Sequence, residues 1–287
     1  MTTTPDATTP DATTSDTSLP VLGAALTLDD LPALLDWVME HDRDLELQDF
    51  VDVALLTGDW SSTVARYRDL LAGHKGRIGI HGPFWDLPIA ASDPDIRTIV
   101  QSRFLQALDA GEALGATHMV IHSPFTNWSH HNMPADRNAR SRIVDCAHKT
   151  LAPVVARAEA IGCTLVIENV EDREPDDRIA LARSFASEHV RVSLDTGHAH
   201  YAHVSTGGRP VDYHVRAAGD LLAHVHVQDV DGYADRHWAP GDGTIRWNPV
   251  FRAIAQCCDR PRLILELLDP QDIPRGAQHL VDLGLAI

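Results

Sequence analysis

Several things are scarce in this 287-residue chain, and each shortage excludes a class of protein. There are only four cysteines, Cys146, Cys163, Cys257 and Cys258, and no two form a Cys-x-x-Cys pair. That argues against a thiolate zinc site or a dithiol redox motif. It also fits a reducing compartment better than a disulfide-stapled secreted domain. Lys75 and Lys149 are the only lysines, and Lys plus Arg total 24 against 41 Asp plus Glu. A formal charge of −17 without a basic cluster argues against a surface built to neutralise nucleic-acid phosphates. No apolar run approaches the roughly 18 residues of a membrane helix. The N-terminus has neither the basic nor the apolar segment of a secretory signal. No dinucleotide-binding Gly-x-Gly-x-x-Gly follows a strand-like run, and neither a phosphate loop nor a Gly-x-Ser-x-Gly elbow occurs. The expectation is a soluble, cytoplasmic protein without membrane contact.

Two compositional zones are present. Residues 1–19 repeat Pro-Asp-Ala-Thr-Thr at 5–9 and 10–14 and carry almost no apolar side chains. Such a segment cannot offset its ordering entropy by burial, so a disordered tail is expected. Residues 20–287 alternate short apolar runs with longer helix-like segments. Strands are expected at 21–26, 44–50, 77–81, 117–122, 164–168, 191–195, 222–226 and 262–266. Helices are expected between them, among others at 28–41, 62–72, 95–114, 137–160, 178–187 and 248–257. Gly115 and Gly162 sit where two of these helices should stop. Eight β-then-α units in one domain of this length predict an α/β fold, a single (β/α)8 barrel with a parallel sheet. A doubly wound open sheet is the competing architecture.

Histidine, at 17 residues, is in excess, and its placement is informative. Ile80 leads to His81, Ile121 to His122, Ile167 to Glu168, Leu194 to Asp195, Val225 to His226 and Leu265 to Glu266. In a (β/α)8 barrel the C-terminal strand ends converge on one mouth, where active sites lie. Six strands would therefore deliver imidazoles and carboxylates to one small region. Such a sulfur-free donor set suits zinc, manganese, iron or cobalt and suits calcium poorly. His198 lies three residues beyond Asp195, and Asp235 and His237 share the polar loop 228–243. Side-chain alternation puts His224 on the face of His226 but one layer deeper. By the same rule His118 points inward near the barrel bottom. His130 and His131 read as surface residues of a polar loop, and His200 and His203 as neighbours of the site. His81-Gly82-Pro83-Phe84-Trp85 and His122-Ser123-Pro124-Phe125 each place aromatic rings just past a candidate ligand. Phe84, Trp85 and Phe125 would either wall a substrate pocket or pack the loops.

These motifs together resemble the xylose-isomerase-like TIM-barrel superfamily, which holds sugar isomerases and epimerases together with endonuclease IV. The resemblance runs over the chain after Leu19. Its carriers are residues 80–84, Ile167-Glu168-Asn169, Leu194-Asp195-Thr196-Gly197-His198, residues 224–229, Asp235-Arg236-His237 with Gly241-Asp242-Gly243, and Leu265-Glu266. One branch implies a single divalent ion on Glu168, Asp195, His226 and Glu266, acting on a small sugar or polyol. In it Glu168 and Glu266 transfer protons through an enediolate and His198 bonds a substrate oxygen; Phe84, Trp85, Phe125 and His224 are the candidate substrate contacts by position, although the depth of His224 favours a supporting role. The other branch implies a trinuclear zinc phosphodiesterase, its nine ligands matching those four with His81, His122, His198, Asp235 and His237. The metal is thus expected to be zinc or manganese, one ion or up to three. The stretch 51–60 has no Arg or Lys for phosphates, which favours the sugar branch. A homo-oligomer is compatible with either.

Overall fold

The computed structural model describes residues 19–287, so the tail expected at 1–19 lies outside the described residues except for Leu19. Eight parallel strands close into a barrel in sequence order. They are β1 (Gly23–Leu26), β2 (Leu45–Leu47), β3 (Ile78–His81), β4 (His118–His122), β5 (Thr164–Glu168), β6 (Val190–Asp195), β7 (Leu222–Val227) and β8 (Arg262–Leu265). The surrounding helices begin with α1 (Leu31–Glu40), α2 (Val53–Thr57), α3 (Ser61–Leu70), α4 (Pro94–Leu114), α5 (Asn127–Asn132) and α6 (Ala139–Ile161). They continue with α7 (Pro175–Ser184), α8 (Thr196–Thr206), α9 (Val211–Ala218), α10 (Trp247–Cys257) and α11 (Ile273–Asp282). The barrel closes where Gly23 pairs with Ile264 and Ala24 with Leu265. Gly23 is required there, because an added Cβ would lie 2.2 Å from the Asp44 carbonyl oxygen.

Local chemistry explains the helix limits. Asp93 caps α4 by accepting from Asp95 N–H, with Pro94 in the first turn where its missing N–H costs nothing. Gly115 and Gly162 end α4 and α6 at φ 72° and 70°, in the left-handed conformation that glycine adopts freely. Five helices, α2, α5, α8, α9 and α11, fall outside the spans named from the sequence. The His- and Thr-rich α8 carries little apolar periodicity, α9 is only eight residues long, and α11 opens on Ile273-Pro274. His130 and His131 lie on the short α5 rather than in a loop, with a Thr126–Ser129 capping box at its start. The expected strand at 44–50 is cut to three residues, because Asp49–Val51 form a 3-10 turn.

The main apolar core lies between sheet and helices, not inside the barrel. Leu45, Leu47, Ile80, Met119, Ile121, Leu165, Ile167, Leu194, Val225 and Leu263 belong to it, packed with Phe104, Leu108, Leu151 and Val154 of the helices. The alternate positions face the barrel axis, and many are polar. Glu46, Gly79, His118, His224, Arg262 and Ile264 close around one interior point. Both faces of each strand are therefore covered, as in parallel sheets generally. Among the described residues no helix is long and apolar enough to cross a membrane.

Candidate metal centre

The sheet register aligns the strand ends. His122 stands beside Glu168, and Asp195 beside His226. Four groups result, in each of which one ligand atom per residue lies within 4.8 Å of the others. Glu168, Asp195, His226 and Glu266 form the central group. There His226 Nδ1 is 2.7 Å from Glu168 Oε1 and 3.3 Å from Glu266 Oε2. His81 and His122 approach the other side of Glu168, their Nε2 atoms 3.7 and 3.6 Å from Oε2. His198 and His237 flank Asp235, both Nε2 atoms 3.2 Å from Oδ2. Beneath these, Glu46 joins His224 and His226.

The expected site residues thus assemble at one mouth, with differences of role. His224 is fully buried, its Nδ1 2.8 Å from Ser193 Oγ and its Nε2 3.1 Å from Glu46 Oε2. The ring lies a layer below the mouth, at the depth that side-chain alternation assigns, and so stands as support for the site and not as the candidate substrate contact. Phe125 is buried in the apolar core, so loop packing accounts for it. Phe84 stacks on His122 with ring centroids 4.4 Å apart, and Trp85 is 72% exposed beside it. His200 Nε2 faces Thr244 Oγ1, and His203 Nδ1 faces the Gly208 carbonyl.

The arrangement also depends on residues to which the sequence assigned no role. Gln228 donates from Nε2 to Asp195 and to Asp235 Oδ1, and its Oε1 accepts from His237 N–H at 2.9 Å. Gly197 lies directly against that amide, where a Cβ would be 2.4 Å from it. Asp229 is buried and pins the loop, accepting from Gly241 N–H at 2.9 Å and Ile245 N–H at 3.1 Å. Asn169 brackets Asp195, accepting from its N–H and donating to its C=O, both at 2.9 Å. Glu46 and Gln48 reach in from β2. The available signal for Glu46 was a lone carboxylate between two leucines. That for Gln228 was its place two residues beyond His226, on the same face.

The donor geometry fits a divalent cation. His81, His198 and His237 each turn Nδ1 to a backbone carbonyl, of Gly82, Asn169 and Glu266, at 2.8, 2.8 and 3.1 Å. Nδ1–H donation fixes the ring orientation and leaves each Nε2 facing a carboxylate, so that a cation replacing the Nε2 proton would be bound by both, the usual preparation of a metal-binding histidine. Glu168 Oε2 is buried without a hydrogen-bond partner, an orphan that a cation would satisfy. His237 sits at φ 49°, a strained backbone conformation held by these contacts.

The charges of the metal-free site are mutually dependent. Burial disfavours charge on His226, but the Glu266, Glu46 and Glu168 carboxylates outweigh it and hold this ring well above its ordinary range. His198 is likewise raised, burial being outweighed by Asp195 and Asp235. His237 reaches about 9, again against burial, through Asp235 and Glu266. Burial pushes His122 down to about 3 and Asp195 up to about 6. A metal ligand must be neutral imidazole. Raised rings hold their protons at pH 7.5, so zinc uptake should release protons and affinity should fall as pH drops. Adding ZnCl2 to metal-free protein in weak buffer at pH 7.5 should acidify it; uptake without acidification would show the rings already neutral.

The family described as the xylose isomerase-like TIM barrel matches this chain over residues 46–283. An uncharacterized protein of Methanocaldococcus jannaschii is 25% identical over 189 residues, which are 62% of this chain and 60% of that protein. This chain therefore spans about three-fifths of that relative's length. Among solved structures, a Thermus thermophilus protein soaked with ZnCl2 superposes with a TM-score of 0.65 at 23% identity, covering 92% of this chain and 98% of its own. A D-tagatose 3-epimerase-like protein superposes with a TM-score of 0.66 at 19% identity, covering 92% and 100%. At these identities both establish the fold alone.

Proposed function

The chain belongs to the xylose isomerase-like TIM-barrel family, and from that premise we propose that it is a divalent-metal-dependent isomerase or epimerase of a small sugar or polyol. One observation carries the reading: the carboxylates of Glu168 and Glu266, from β5 and from the end of β8, meet at His226 Nδ1. Glu168, Asp195, His226 and Glu266 would hold the ion, zinc or manganese by donor type. The ion would supply Lewis-acid polarisation of a carbonyl and its neighbouring hydroxyl, which acidifies the intervening C–H. One glutamate would remove the proton from that carbon and the other would return one. In an epimerisation it returns to the opposite face of the same carbon; in an isomerisation it goes to the former carbonyl carbon, with the hydroxyl proton passing to the carbonyl oxygen. His198, 12% exposed and held by Asn169, is placed to bond a substrate oxygen. Phe84 and Trp85 form an aromatic wall at the mouth for a sugar face. The epimerase-like and zinc-soaked neighbours support this reading.

A second reading has its own observation. His81–His122–Glu168 and His198–Asp235–His237 are complete donor groups that a one-ion enzyme does not need. A three-ion phosphodiesterase would use all nine residues, with a water activated for attack on phosphorus.

Elemental analysis of purified protein, with and without zinc or manganese reconstitution, separates the two. About one ion per chain with ketose interconversion supports the isomerase; about three with cleavage of abasic-site DNA supports the hydrolase. In the one-ion case Asp235→Ala with His237→Ala leaves the ion count unchanged. In the three-ion case it lowers the count by about one. A chain that takes up no ion overturns both readings.

A further inference from the structure

Glu46 has no part in the chemistry proposed above, yet its placement is costly. It is a buried carboxylate in the middle of β2, between Leu45 and Leu47. A buried charge is retained only where partners compensate its lost hydration. Here they are specific. Glu46 Oε1 is 2.9 Å from His226 Nε2 and accepts from Gln48 Nε2 at 2.9 Å. Its Oε2 is 3.1 Å from His224 Nε2, whose other ring nitrogen faces Ser193 Oγ at 2.8 Å. Gln48 donates again, to Glu266 Oε1 at 3.0 Å, while Glu266 Oε2 faces His226 Nδ1.

Among the candidate ligands, His81, His198 and His237 are backed by a backbone carbonyl, whereas His226 is backed by a carboxylate. A carboxylate behind a ligating imidazole fixes its tautomer and rotation and strengthens it as a donor. Glu46 does not form an ion site of its own, because both its oxygens are engaged and the surrounding interior residues leave no room for a water.

We propose that Glu46 is a positioning residue for the metal centre. It accepts the Nε2–H of His226 and so presents Nδ1 as the ligand atom, while Gln48 ties the Glu266 carboxylate to the same support. This rests on the reading of His226 as a ligand, and the experiment separates the two. Metal-free wild type, Glu46→Gln, Glu46→Leu and a control at the exposed Glu40, Glu40→Gln, are titrated with Zn2+ against a chelating dye, and their Co2+ absorption spectra are recorded. Glu46→Leu should weaken zinc binding about 100-fold and Glu46→Gln, which keeps an acceptor but not the charge, about 10-fold. Both should shift the Co2+ bands, and Glu40→Gln should do neither. If Glu46→Leu does not fold, Glu46→Gln carries the test alone. Binding within twofold of wild type, with an unchanged Co2+ spectrum, overturns the proposal and leaves the ligand assignment standing. A wild type that binds neither ion overturns both. Weakened binding in a protein that converts no sugar supports Glu46 and removes the isomerase.

Discussion

Replacing Glu168 by glutamine should abolish turnover while the barrel stays folded. Glu168 belongs to two of the four donor groups, with one oxygen at His226 Nδ1 and the other toward His81 and His122. Burial raises its carboxyl, but the His226, His81 and His122 rings outweigh this and hold it well below the usual carboxylate range. It is therefore ionised, as a ligand or base must be. Glutamine keeps the shape and removes both the charge and the capacity to take a proton. Loss of general-base function alone is worth about 10²–10⁴ in rate, and a weakened ion should deepen it. Thermal unfolding supplies an independent readout. An ion at 100 times its Kd stabilises the folded state by about 2.7 kcal/mol, or about 5–10 °C for a chain of this size. Wild type should show that rise on adding zinc, and Glu168→Gln should lose most of it. Activity at wild-type level, or an undiminished zinc shift, would remove Glu168 from the centre.

Replacing Arg178 by alanine should produce the largest loss of stability. Arg178, in α7, is fully buried and reaches under two strand ends. Its Nη1 donates to Asn169 Oδ1 at 2.8 Å and to the carbonyl of Ser193, and its Nε lies 3.7 Å from Asp172 Oδ1. Asn169 in turn brackets Asp195, so the guanidinium supports the site from behind. Removing one partner of a buried ion pair costs about 3–5 kcal/mol, which lowers Tm by about 6–20 °C. The deficit should depend on pH in a defined direction. Burial raises Asp172 to about 6, against the opposing charge of Arg178. Without that charge it should rise further. A carboxyl whose folded pKa exceeds its unfolded one contributes stability at low pH that is lost as pH rises through the folded value. The variant should therefore be less impaired at pH 5 than at pH 8. A Tm within about 2 °C of wild type would mean that water replaces the guanidinium without cost.

The predictions depend on parts of the molecule that were unequally legible. Every expected strand exists, because a short apolar run between helix-like segments is a local pattern, and six of the eight runs end in a reactive residue. His81, His122, Glu168, Asp195, His226 and Glu266 could be read as one set because a parallel barrel brings all strand ends to a single rim. The Gly115 and Gly162 helix ends were equally local. Helix α8 was not visible because its turns carry little apolar periodicity, and α9 because its apolar stripe of Val211, Val215 and Ala218 spans only eight residues; packing on β6 and α10 holds them.

What the sequence alone determined was the order of elements, the barrel class and the chemical type of each side chain at the mouth. Tertiary structure alone decided which of them meet. Glu46 reaches His226 across 180 residues and Gln48 reaches Glu266 across 218. Glu168 is shared between two groups, His224 meets Glu46 beneath the mouth, and Phe125 is packed into the apolar core. Strand register and barrel closure set those pairings, and both are properties of the whole sheet. A local pattern reports which face a side chain takes, but not its height against a strand elsewhere in the chain.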